Sequence, residues 1–128
     1  MRGIQEIFLM FDYNFHWRPV LKSLPDLLEA SLVTLQVAVL SMIIGIVIGL
    51  FLSIIKLKAK GPLQWFASCW IELARNTPAL FQLFFFGFGL GALGIHLTPF
   101  FIVLAGLSFN NAGYLAENFR GGFNAVPE

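Results

Sequence analysis

Leu32 to Ile55 reads LVTLQVAVLSMIIGIVIGLFLSII, 24 consecutive positions without a charged side chain. At about 1.5 Å per residue, a helix of that length covers roughly 36 Å, enough to cross a hydrocarbon layer about 30 Å thick with some tilt. Ser41, Gly45, Gly49 and Ser53 recur four apart along it. That spacing gathers small side chains on one strip, where another helix can approach closely. The competing reading is that glycine, common in membrane helices, is scattered here by chance.

The rest of the chain agrees with a lipid environment. Its 128 residues are 58% hydrophobic and 12% charged, with a mean hydropathy of +0.80. A soluble core of this size cannot hide so much apolar surface. Fifteen Phe, mostly outside any heptad pattern, suit lipid contact better than a coiled coil. The net charge of +1 and the lack of a long basic run exclude a nucleic-acid binder. Cys69 stands alone, so neither a disulfide framework nor a cysteine metal pair is available. No G-x-S-x-G, Walker A, paired-carboxylate motif or strand-to-helix G-x-G-x-x-G occurs, which argues against an enzyme and against an intramembrane enzyme in particular. Gly87, Gly89 and Gly91 lie inside an apolar run and cannot cradle a phosphate.

Two regions follow from these patterns. Residues 1–26 read as an interfacial segment outside the membrane, and residues 27–128 as a transmembrane domain. Ile4, Phe8, Phe11 and Phe15 recur at helical spacing, so residues 3–17 form either an amphipathic helix on the bilayer or a loosely ordered leader. The apolar run Ile7 to Phe11 is five residues, short of the roughly 7–15 in a signal-peptide core. Lys56, Lys58 and Lys60 follow the first span at once and place its end in the cytoplasm, with the N-terminus outside. Gly61-Pro62 breaks the chain, and Leu63 to Arg75 is amphipathic, with Phe66, Trp70 and Leu73 on one side. Trp65 and Trp70 suit the interfacial belt, and Glu72 and Arg75 stand three apart, able to pair.

Thr77-Pro78 reads as an N-cap followed by proline at the first helical position. The second span then runs from Pro78 to about Leu93, near 24 Å, and needs part of the preceding helix to cross fully. Pro99 opens a third span, to about Phe119, roughly 31 Å long. Arg120 falls inside. The fold class is therefore all-α: an integral membrane protein with about three transmembrane helices in the cytoplasmic membrane, N-terminus out and C-terminus in.

The third span carries a polar block, Asn110-Asn111-Ala112-Gly113-Tyr114-Leu115-Ala116-Glu117-Asn118-Phe119-Arg120-Gly121-Gly122. An acidic residue at mid-depth in hydrocarbon costs about 2.5–3.5 kcal/mol on insertion scales, so such groups face a partner helix, a water-filled path or a substrate. At 100° per residue, Gly106, Asn110, Gly113 and Glu117 fall within about 60° of one another. Three roles fit this stripe: a translocation path, helix–helix hydrogen bonding, or a proton relay. Asn110 and Asn111 lie deepest and are the first pathway candidates, followed by Glu117, which can instead pair with Arg120 within its own helix. His96 reads as a solvated loop histidine, and no metal-ligand spacing exists.

Three segments together resemble the permease subunits of bacterial ATP-binding-cassette (ABC) importers for polar amino acids. Leu27-Leu28-Glu29-Ala30-Ser31-Leu32-Val33-Thr34-Leu35-Gln36 looks like the start of that family's first core helix. Glu72-Leu73-Ala74-Arg75-Asn76-Thr77-Pro78-Ala79-Leu80-Phe81-Gln82-Leu83-Phe84-Phe85 matches a second motif, with Asn76 where many members have Gly. The polar block with Gly113, Arg120 and Gly121, ending in Asn124-Ala125-Val126-Pro127-Glu128, matches a third. The likeness covers about residues 24–128.

The resemblance implies a type I importer without a cofactor of its own. A second permease subunit, identical or paralogous, would share the pathway, a cytoplasmic ATP-binding subunit would hydrolyse ATP, and an extracytoplasmic binding protein would deliver the amino acid. The family's cytoplasmic Glu-Ala-Ala loop would begin just after Pro127-Glu128, so a C-terminally truncated permease is the expectation. The alternative is a small non-transporting membrane protein, or a permease remnant, that binds a partner helix through the Ser41, Gly45, Gly49 and Ser53 strip.

Overall fold

Two short sequence signals set where helices begin. Gly61 adopts φ 70°, a left-handed conformation that only glycine takes without strain, and Pro62 follows at the first turn of a helix. Pro99 likewise opens the helix after Thr98. The computed structural model describes residues 17–127. Ile4, Phe8, Phe11 and Phe15, the markers of the expected amphipathic segment, lie outside the described residues.

The chain divides into two compact units, residues 1–33 and 34–128. The first contains α1 (Trp17–Lys22) and the opening of α2 (Leu24–Lys58). Its local bonds include Leu27 N–H to Ser23 O at 3.0 Å and Ser31 Oγ to Leu27 O at 2.7 Å.

The second unit holds the remainder of α2, then α3 (Pro62–Asn76), α4 (Ala79–Phe84), a π-helical turn (Phe85–Gly89), α5 (Leu90–Ala92) and α6 (Pro99–Ala125). Its core is a cluster of Leu52 from α2, Ala67 and Ile71 from α3, and Ala112 and Ala116 from α6. Ala67, Ala112 and Ala116 are fully buried, whereas Phe51, Trp65 and Phe88 point outward, 63%, 71% and 72% exposed. A core mostly of small residues around Leu52 and Ile71, with large apolar ones outside, is the packing expected in lipid, where helices gain from close approach rather than from escaping water. The same inversion governs α3. Its inward face is Ala67, Ile71 and Ala74, while Phe66 and Leu73 of the large apolar set are exposed.

Among the described residues two helices, α2 and α6, are long and apolar enough to cross a membrane. The expected second span is shorter and less regular. It ends at Ala92, and its 14 residues from Ala79 give about 21 Å. Gly87 and Gly89 fall in the stretch where the ladder widens to π geometry.

The structure corrects the reading of Thr77. It does not cap α4, whose first flanking residue is Pro78; it closes α3 instead, with φ −108° and ψ 139°. Proline disfavours helical backbone in the residue before it, so α3 must stop at Asn76. Thr77 then turns back, its N–H and its hydroxyl both donating to Leu73 O.

Candidate polar site at the end of α3

A helix leaves its last four carbonyls without intrahelical donors, and burial of such groups without partners is costly. At the end of α3, Leu73 O is served by the closing residue Thr77, and Ala74 O and Arg75 O by side chains from other helices. Ala74 O receives Gln82 Nε2 from α4 at 3.0 Å and Asn110 Nδ2 from α6 at 3.2 Å. Arg75 O receives the Tyr114 hydroxyl at 3.3 Å. Gln82 Nε2 also meets Thr77 O at 3.2 Å and Thr77 Oγ1 at 2.9 Å. The two carbonyl acceptors fix which end of that amide is nitrogen.

Gly113 makes the arrangement possible. A Cβ placed there would collide with Ala74 Cβ, so α6 can lie against α3 only because position 113 has no side chain. Asn110 is one helical turn earlier on α6 and thus comes within reach of Ala74 O. Gln82 is 4% exposed, and its Oε1 has no hydrogen-bond partner among the described residues. Beside it lies a cavity of about 210 Å³, walled by Leu73, Thr77, Phe81, Phe85, Phe86 and Phe109.

The neighbouring Asn111 has different surroundings. Its Cβ lies against Gly45 of α2, where an added Cβ would approach to 2.6 Å. Gly49 meets Ala112 O at 3.0 Å and Ala116 N at 3.1 Å by the same measure. Ser41 and Ser53 are buried and each bonds its own helix, to Ala38 O at 3.0 Å and Leu50 O at 2.8 Å. The two glycines of the strip on α2 are therefore covered by α6 of the same chain.

Glu117, seven residues and about 10.5 Å beyond Asn110 on the helix, forms a separate ionic site. Its Oε1 accepts Lys56 Nζ at 2.6 Å, and its Oε2 accepts Arg120 Nη2 at 2.7 Å and Nε at 2.9 Å. Asn110, Asn111 and Glu117 thus fall in three settings: the end of α3, the face of α2, and a cation-bound carboxylate.

The remaining motif residues are peripheral to this site. Glu72 and Arg75 are exposed, and the i,i+3 pairing open to them is not formed. The Arg75 guanidinium lies 5.9 Å from the centre of the Tyr114 ring instead. Gly121 has open space around it. Among the described residues no three His, Cys, Asp or Glu side chains gather as a metal site requires.

Sequence reasoning missed the bonds to Ala74 O and the Lys56–Glu117 bridge. The first had a signal. In a continuous helix Ala74 O would accept the N–H of residue 78, and Pro78 has none, so an outside donor was required. The bridge, between residues 61 apart, had no such local mark.

No protein-family model matches the chain. Among curated proteins it is 34% identical over 116 residues to the arginine transport system permease protein ArtQ of Bacillus subtilis, covering 90% of this chain and 53% of that protein. It is 30% identical over 124 residues to the glutamate/aspartate import permease protein GltK of Escherichia coli, covering 89% and 54%. It is 34% identical over 120 residues to the putative glutamine transport system permease protein GlnP of Rickettsia bellii, covering 93% and 54%. The fold matches a chain of an amino acid ABC transporter, crystallised with histidines, at a TM-score of 0.82 and 31% identity, over 89% of this chain and 53% of that one. The chain spans about half the length of the curated relatives it matches.

Proposed function

We propose that this chain, a homologue of the permease proteins of amino-acid ABC transporters, supplies part of the membrane pathway through which such a transporter imports polar amino acids. The observation that carries this reading is the joint likeness of sequence and fold, 31% identity at a TM-score of 0.82 to an amino acid ABC transporter chain. Residues 27–128 form the transmembrane part of the permease and residues 1–26 its outer, interfacial segment. The N-terminus lies outside and the end of α6 in the cytoplasm. The Lys56–Glu117 bridge supports this placement, because it joins the lysine-rich end of α2 to the last turns of α6 at one level. Asn110 and Asn111 line the route or its wall, and Glu117 stands near its cytoplasmic mouth.

The work of transport lies in partners. A separate cytoplasmic subunit hydrolyses ATP, a second permease subunit completes the pathway, and an extracytoplasmic protein delivers the substrate. The substrate gains only as much as its different affinities for the outward- and inward-facing states allow.

The alternative of a small partner-binding protein rests on the α2 strip, whose two glycines α6 covers within this chain. Affinity purification from membranes separates the two readings. Recovery with an ATP-binding subunit is expected; recovery with an unrelated helical protein and no ATP-binding subunit would contradict the transport reading.

A further inference from the structure

The Ala74 carbonyl has two donors where a helix normally supplies one. Its oxygen carries two lone pairs, so the Gln82 and Asn110 bonds coexist. The two donors are held very differently. Gln82 is buried, and three acceptors on Ala74 and Thr77 surround its Nε2. Asn110 is half-buried, and Ala74 O is the single acceptor it meets among the described residues.

Withdrawing the sole donor from a buried carbonyl exposes the full cost of an unsatisfied group, whereas withdrawing one of two leaves the carbonyl paired. We infer that Gln82 is a positioning residue: by keeping the Ala74 carbonyl satisfied, it leaves the Asn110 amide free to turn from that carbonyl to the carboxylate of an amino-acid substrate. The amide nitrogen that now donates to a carbonyl can donate to a carboxylate without changing protonation. Asn110 is the releasable donor because Gln82 is the fixed one. This rests on the proposed reading of Asn110 as part of the substrate route.

Two measurements on the full chain test it. The first is a thermal-unfolding cycle in detergent with Gln82→Met, Asn110→Leu and the double variant. With Gln82 present, Asn110→Leu has a small effect; with Gln82→Met, the same change lowers the folding constant further, by roughly five- to a hundredfold. Additive effects would overturn the shared carbonyl. If Gln82→Met does not accumulate, Gln82→Asn, whose amide is one methylene shorter, carries the same comparison.

The second is uptake kinetics in the assembled transporter. Gln82→Met raises KM roughly tenfold with little change in maximal rate, and the increase disappears in the Asn110→Leu background. An equal rise in both backgrounds would overturn action through Asn110. Absence of any amino-acid transport by the native chain would sink the substrate half, while the thermal cycle would still decide whether Gln82 and Asn110 share the carbonyl.

Discussion

Lys56 Nζ lies 2.6 Å from Glu117 Oε1, joining the end of α2 to α6 across 61 residues of sequence. The same carboxylate holds Arg120, so one anion stands between two cations. Removing the anion is therefore worse than removing either cation. Lys56→Met leaves the Glu117–Arg120 pair intact and is expected to cost about 1 kcal/mol. Glu117→Gln leaves two cations facing each other and costs roughly 2–3 kcal/mol. Thermal unfolding in detergent measures both, and a larger loss from Lys56→Met would contradict this arrangement.

Close approach of α6 to α3 predicts unequal sensitivity of two glycines. A Cβ at Gly113 meets Ala74 Cβ, which belongs to a buried helix face and cannot swing aside. At Gly106 it meets Leu83 Cδ2 at 2.6 Å, the far end of a flexible side chain. Gly113→Ala is expected to cost about 1–3 kcal/mol, and Gly106→Ala under about 1. Equal melting points for the two variants would argue against tight α3–α6 contact.

The way these contacts were hidden or visible in the sequence has physical causes. Helix starts at Pro62 and Pro99 were legible because proline's fixed backbone and missing donor act within a few residues. Thr77 alone does not say which helix it closes, since threonine serves either end; the proline after it decides the matter by forcing it out of helical geometry. The four-residue spacing of Ser41, Gly45, Gly49 and Ser53 marks a smooth face but names no partner, and Asn111, Ala112 and Ala116 emerge opposite it only through the tertiary fold. Phe66 and Leu73 carried no sign of pointing outward, because in lipid an exposed and a packed apolar side chain differ little in transfer energy. The burial of Gln82 could have been derived from Pro78 by asking where the Ala74 carbonyl finds a donor.

The proposed orientation makes a labelling prediction. In a Cys69→Ser background, Lys58→Cys is expected to resist a membrane-impermeant maleimide added to intact cells, and His96→Cys to react. Both positions are exposed, so access from the medium is the variable read out. The reverse pattern would invert the topology.

The polar block predicts unequal effects on transport. Asn110, bonded to Ala74 O, and Asn118, exposed on the same helix, are chemically identical side chains. Asn110→Leu is expected to reduce uptake at least about tenfold, the scale of losing one well-placed hydrogen bond, and Asn118→Leu to leave it nearly unchanged. Equal losses would remove Asn110 from the route.

The most direct measurement is uptake of radiolabelled arginine, glutamine and glutamate by cells with and without the gene that encodes this chain. Each is a polar amino acid named in the description of a relative. The account predicts that high-affinity uptake of at least one polar amino acid disappears on deletion and returns with the gene. Unchanged uptake of every polar amino acid tested would contradict it.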